Sequence, residues 1–171
     1  LKERHEANNY RVLGNLPSGM DFTSNDYLGL AHDEVLAAQI KAAINGYQGA
    51  LAGSTGSRLL TGNTAYAMEL EKQVAHFHHA ESSLLFNSGF DANYGLLSCL
   101  PYRGDTIVYD EAVHASIHDG IRGSKASAKS FAHNNMEDLE KVLQKATGLK
   151  YVVIESYYSM DGDFAPLKQI A

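Results

Sequence analysis

Three short segments hold most of the residues that could do chemistry. In Asn87-Ser88-Gly89-Phe90 an apolar stretch gives way to a helical pattern. The free backbone N–H groups and dipole of a helix start attract anions. Gly89 would let a phosphate approach closely, and Ser88 adds a hydroxyl donor; an ordinary strand-to-helix turn would use the same residues. Asp110-Glu111-Ala112-Val113-His114-Ala115-Ser116 follows a second apolar run. An imidazole at His114 could stack on a flat ligand or move a proton, or be a satisfied structural histidine. Glu155-Ser156-Tyr157-Tyr158-Ser159-Met160-Asp161-Gly162-Asp163 offers a carboxylate, hydroxyls and a tight turn at Asp161-Gly162. Asp161 and Asp163 lack the remaining ligands of a calcium loop, so the turn is the preferred reading there.

Other segments point to less. Gly53-Ser54-Thr55-Gly56-Ser57-Arg58 is glycine-rich but has neither the Lys-Ser/Thr ending of a P-loop nor the Gly-x-Gly-x-x-Gly spacing. Arg58 could bind an anion or make a surface ion pair. His76, His78 and His79 crowd a helix end, where histidine is favourable without any metal; no metal site is expected. There is no Gly-x-Ser-x-Gly elbow, which weakens a serine hydrolase reading.

The elements that must position these residues follow from periodicity. Residues 1–20 read as a short helix and a turn-rich arm. Residues 33–45 read as a helix capped by Asp33, with Leu36, Ile40, Ala43 and Ile44 on one face and Gly46 as its stop. A helix from about Thr64 to His78 puts Leu70, Val74 and Phe77 on its inner face. Ser83–Phe86 reads as a strand leading into a helix that Pro101 terminates. Thr106–Tyr109 reads as a strand, Ala115–Arg122 as a helix and 127–132 as a weaker strand. Asn135 caps a helix carrying Leu139, Val142, Leu143 and Ala146, which Gly148 ends. Tyr151–Ile154 reads as a strand buried on both faces. This alternation predicts an α/β fold with a mostly parallel sheet, whose ligands sit at the carboxyl ends of strands. The segments to watch are therefore 87–90, 110–116, 132–135 and 155–163.

Composition bounds the function classes. The chain has 171 residues, 44% of them hydrophobic and 20% charged, as in a globular domain. A net charge of −6 argues against nucleic acid as a partner. No apolar run approaches the roughly 20 residues of a membrane-spanning helix, and no signal peptide is visible. A single cysteine, Cys99, excludes an internal disulfide and fits a reducing, cytoplasmic setting; it reads as a small buried hydrophobe. Both ends fall inside predicted helices, so the chain is expected to be a fragment of a longer protein.

Five motifs occur in order: Ser24-Asn25-Asp26-Tyr27-Leu28-Gly29-Leu30, Gly56-Ser57-Arg58-Leu59-Leu60-Thr61-Gly62, Ser88-Gly89-Phe90-Asp91-Ala92-Asn93, His114-Ala115-Ser116 and Ser159-Met160-Asp161-Gly162. Each is weak alone; together they resemble the α-oxoamine synthases, pyridoxal-phosphate enzymes of fold type I. The resemblance implies an N-terminal helical arm (1–48) followed by the first half of the large cofactor-binding domain (49–171). It also implies a homodimer and a decarboxylative condensation of an amino acid with an acyl-CoA or acyl carrier protein thioester. In the biotin-synthesis branch, which the motifs favour, these are L-alanine and a pimeloyl thioester. Sister members acting on serine or glycine, or a truncated non-catalytic binding module, are the alternatives. A flavodoxin-like phosphate-binding domain is a weaker one.

Carried over by position, the resemblance assigns the backbone amides of Gly89 and Phe90, with Ser88, to the pyridoxal phosphate ester. His114 would stack on the ring and act catalytically. Glu155 and Ser159 would lie near the ring, Ser159 bonding its hydroxyl oxygen. Asn25 and Arg11 would face substrate, and the 53–62 loop would lie at the dimer interface. The family's Schiff-base lysine and the Asp that pairs with the ring nitrogen are expected beyond residue 171, so the 171-residue chain alone is expected to be inactive.

Overall fold

The structure is a computed structural model that describes residues 2–8, 10, 19–49 and 53–171. They fall into two units, Leu1–Asn63 and Thr64–Ala171. The first holds helix α1 (Lys2–Glu6), a single 3₁₀ turn (Leu30–His32) and helix α2 (Glu34–Gly46). Asp33 caps α2 as expected, accepting the Leu36 amide at 2.8 Å. Asp26 tightens the preceding turn by accepting the Leu30 and Ala31 amides at 2.8 and 3.1 Å. The helix stops one residue later than the pattern predicts, with Gly46 as its last residue and Tyr47 as its C-cap. The 53–62 loop, assigned by sequence to the second domain, lies in this first unit.

The second unit opens with α3 (Ala65–Phe77) and α4 (Gly89–Cys99). Thr64 and Ser88 cap them, each accepting the amide three residues on, at 3.1 and 3.0 Å. Then strand and helix alternate: β1 (Thr106–Asp110), α5 (Ala115–Gly123), β2 (Ser127–Phe131), α6 (Met136–Gln144) and β3 (Lys150–Val153). A hairpin of β4 (Tyr157–Tyr158) and β5 (Asp163–Phe164) follows, then the short helix α7 (Leu167–Ile170). The main sheet is parallel in the order β2-β1-β3, with Tyr109 level with Ser130 and Val153.

β1 is the centre. Ile107 and Val108 are fully buried, each such side chain contributing about 1.5–3 kcal/mol. One sheet face meets α4 and α5 through Leu97, Val113 and Ile117. The other meets α6 through Val108, Phe131 and Leu139. The crossovers from β1 to β2 and from β2 to β3 run in opposite directions across the sheet. The carboxyl ends of β1 and β3 therefore flank the point where the chain reverses its winding, the usual ligand crevice of an open parallel sheet.

Five expectations are corrected. Ser83–Phe86 is not a strand. An extended segment becomes a strand only when a neighbour takes its backbone groups; here the Leu85 amide goes to the Glu71 side chain at 2.9 Å. Tyr151–Ile154 is half-buried rather than buried on both faces, because β3 is an edge of the described sheet. Phe77 points outward, 78% exposed. Cys99 is exposed on the last turn of α4. Gly148 does not end α6, which stops at Gln144; it turns the chain at φ +64° where a Cβ would strike the Gly104 carbonyl.

Candidate active site

The β1–α5 turn and the segment leaving β3 meet at the carboxyl edge of the sheet. His114 begins α5 as its N-cap, and its backbone N–H donates to the Glu155 carboxylate, forty-one residues away in sequence. His114, Glu155 and Ser159 line one small depression together with Ala112, Tyr158, Met160 and Asp161. The structure thus brings these three sequence-predicted residues to one place.

The His114 ring is held from one side. Its Nδ1 accepts the Ser116 amide at 3.2 Å and lies 2.8 Å from the Ser116 hydroxyl. Ser116 is fully buried, and its oxygen accepts from the Asn93 side-chain amide of α4 at 2.9 Å. With Asn93 donating to Ser116 and Ser116 donating to Nδ1, the neutral ring is assigned its proton on Nε2. His114 is exposed, which leaves room for a planar ligand to stack on its ring.

Ser88, Gly89 and Phe90 form the first turn of α4, the helix to which Asn93 belongs. The Ser88 hydroxyl caps the helix through Asp91. The Gly89 and Phe90 amides have no acceptor among the described residues. A Cβ at Gly89 would meet nothing within 4 Å, so the backbone is uncrowded at that position. Two free N–H groups, a helix dipole and a hydroxyl suit a phosphate ester. Asn25 belongs to the first unit, and Arg11 lies outside the described residues.

A second cluster adjoins this depression through Tyr158. Asp110, fully buried at the end of β1, accepts from the Ala112 amide at 2.9 Å, the Asn134 amide at 2.9 Å and His133 Nδ1 at 2.8 Å. Burial pushes its carboxyl up, but these donors outweigh it and hold it below its ordinary value. His133 Nε2 in turn lies 3.1 Å from Asp163 on β5. The bond to Asp110 raises the imidazole pKa; partial burial opposes this, and Asp163 adds to the rise. The ring edge also meets Tyr158 at a centroid distance of 4.5 Å. Tyr158 is buried and accepts the Glu155 amide at 3.3 Å. Burial pushes its phenol up to about 12; the Glu155 bond opposes this and the Asp110 charge adds to it. In the 132–135 segment the sequence gives a role only to Asn135, as a helix cap; His133 and Asn134 carry no local signal. The signal available was Asp110 itself, an acid ending an otherwise apolar strand, which must find donors.

The sequence pattern of the aminotransferase class I and II family matches residues 17–171. The chain belongs to this family. It is 44% identical to a putative 8-amino-7-oxononanoate synthase of Bacillus licheniformis over 99% of its own length and 45% of the relative's. It is 42% identical to the 8-amino-7-oxononanoate synthase of Emericella nidulans, over 99% of this chain and 44% of that one. The chain thus spans under half the length of the curated relatives it matches. Among solved structures it resembles serine palmitoyltransferase of S. paucimobilis with a bound PLP–myriocin adduct. There the TM-score is 0.76 at 36% identity, over 85% of this chain and 37% of that one. It also resembles 8-amino-7-oxononanoate synthase of Francisella tularensis, with a TM-score of 0.73 at 29% identity over 90% and 42%. Both are α-oxoamine synthases, so the expected resemblance and the fold type I architecture stand. No helix among the described residues is long and apolar enough to cross a membrane.

Proposed function

We propose that the full-length protein is a pyridoxal-phosphate-dependent α-oxoamine synthase that condenses L-alanine with a pimeloyl thioester to give 8-amino-7-oxononanoate. The observation that carries the cofactor reading is the pair of unsatisfied amides at Gly89 and Phe90, on the helix whose Asn93 anchors the His114 network. The relatives' names support the biotin-pathway product. Bound pyridoxal phosphate would supply a conjugated ring that withdraws electrons from the amino acid's Cα as carbon dioxide leaves.

In this reading Gly89, Phe90 and Ser88 would hold the phosphate ester through their N–H groups, hydroxyl and helix dipole. His114, its Nδ1 tied down by Ser116, would stack on the ring and have its Nε2 proton left to move. Glu155 keeps the His114 backbone in place, and Ser159 would bond the ring hydroxyl. Asn25 and Arg11 recognise substrate. A homodimer fits the exposure of Phe22, Leu28 and Leu59 in the first unit, at 89%, 82% and 95%, since large apolar side chains this exposed call for a covering surface. The setting is cytoplasmic.

The test is spectroscopic. Full-length protein with added pyridoxal phosphate should gain a visible absorbance band that L-alanine shifts. A shift with serine or glycine but not alanine would move the assignment to a sister activity, a reading favoured by the serine palmitoyltransferase likeness. No band at all would leave a non-catalytic binding module.

A further inference from the structure

The His133 imidazole bridges two carboxylates that belong to different layers of the fold. Asp110 ends the central strand β1, and Asp163 begins β5 on the hairpin whose turn carries Ser159. Nδ1 lies 2.8 Å from Asp110 Oδ1, and Nε2 lies 3.1 Å from Asp163 Oδ2. A carboxylate only accepts, and a neutral imidazole has one N–H and one lone pair. Both bonds can form together only when the ring carries two protons. The neutral ring must give up one bond and set a lone pair against a carboxylate.

The two carboxylates are not equivalent. Asp110 is fully buried with two further amide donors, and so cannot leave. Asp163 is 46% exposed and sits on a two-residue strand. Besides His133 its side chain has, among the described residues, only the Asn134 side-chain amide, at 3.1 Å. The weaker arm is therefore the hairpin arm. Asn134 Nδ2 lies 3.3 Å from Nε2 and can donate to it only when the ring is neutral, in place of the bond to Asp163 that the protonated ring makes. The remaining groups facing His133 do not compete for its ring. Glu111 accepts its backbone amide at 3.2 Å, and the Tyr158 ring packs against its edge. Glu137 and Gln169 line the open depression beside it, and Asp138 accepts the neighbouring Ala132 amide.

We propose that His133, in its doubly protonated form, is a positioning residue that clamps the β4–β5 hairpin to the end of β1 and so sets Ser159 in place at the candidate site. The clamp stands on this geometry alone; only its consequence for Ser159 rests on the coenzyme reading above. The raised imidazole pKa agrees in sign: the clamp is complete below the ordinary imidazole value and is lost as pH rises through the raised one.

Amide hydrogen exchange in the full-length protein, with and without pyridoxal phosphate, tests this between pH 6 and 9.5. Protection of the hairpin amides, Gly162 and Ala165 among them, is corrected for intrinsic exchange. It should fall with pH by about tenfold for each unit by which closing the hairpin raises the imidazole pKa, while β1 stays protected. Asp163→Asn should make that protection independent of pH. The new side-chain amide can donate to an unprotonated Nε2 while its oxygen still accepts from Asn134, a rescue that a merely structural contact would not give. His133→Ala should lose hairpin protection at every pH. A flat wild-type profile overturns the clamp, as does an Asp163→Asn profile that still falls. A pH response in protein that never binds pyridoxal phosphate supports the clamp and removes only the coenzyme reading.

Discussion

The Glu155 carboxylate accepts the backbone N–H of His114, joining the exit of β3 to the first turn of α5. The bond spans neighbouring strands at the carboxyl edge of the sheet, and it fixes the main chain from which the imidazole projects. Glu155→Ala should destabilise the full-length protein by about 1.5 kcal/mol, the usual value of a hydrogen bond to a charged group. Glu155→Gln keeps an acceptor and should cost less than half as much. Urea unfolding midpoints of the two variants check this, and equal losses would assign the effect to charge rather than to the bond.

Ser116 is buried between Asn93 and His114, and its hydroxyl serves both. Ser116→Ala leaves the Asn93 amide without its acceptor and removes one of the two donors to Nδ1, at a cost of roughly 1–3 kcal/mol. With only the backbone amide left to hold its tautomer, the His114 side-chain ¹⁵N resonances should shift toward a mixture of the two neutral forms. Unchanged resonances would show that the backbone cap from Ser116 suffices.

Gly89 offers a way to separate fold from function. Nothing lies within 4 Å of a Cβ at this position, so Gly89→Ala should leave stability equal or raise it by up to about 1 kcal/mol. The same methyl would stand over the free amides and weaken pyridoxal phosphate binding at least tenfold, measured by titrating the visible band. Full affinity in this variant would move the phosphate elsewhere.

Asp110 sets the acid limb of stability. Its carboxyl titrates below its ordinary value, so its contribution is complete above that value and is lost as pH falls through the lowered one. Asp110→Asn should cost roughly 3 kcal/mol near neutrality by leaving buried donors poorly matched. It should also flatten the decline of the unfolding midpoint in acid. A variant as acid-labile as the wild type would assign that decline to other carboxylates.

Local rules made much of the chain legible in its sequence. Asp33, Thr64, Ser88 and Asn135 each cap a helix through an amide three residues away, so a short window contains both partners. The apolar run at Thr106–Tyr109 needs no distant information to be a strand, and alternation with helices then implies a parallel sheet. Those elements by themselves put His114 and Glu155 at the carboxyl edge of the sheet.

Tertiary structure decided what depends on a partner remote in sequence. Ser83–Phe86 has strand composition but no partner strand among the described residues, and Tyr151–Ile154 lies at the edge of the described sheet rather than inside it. Helical spacing points Phe77 inward and residue type does the same for Cys99, yet the packing leaves both exposed. The Asp110–His133–Asp163 bridge joins residues 23 and 30 positions apart, and no periodicity links them. A cap is a short-range bond with a small search space. A bridge between layers exists only once the sheet has ordered its strands and brought their ends together.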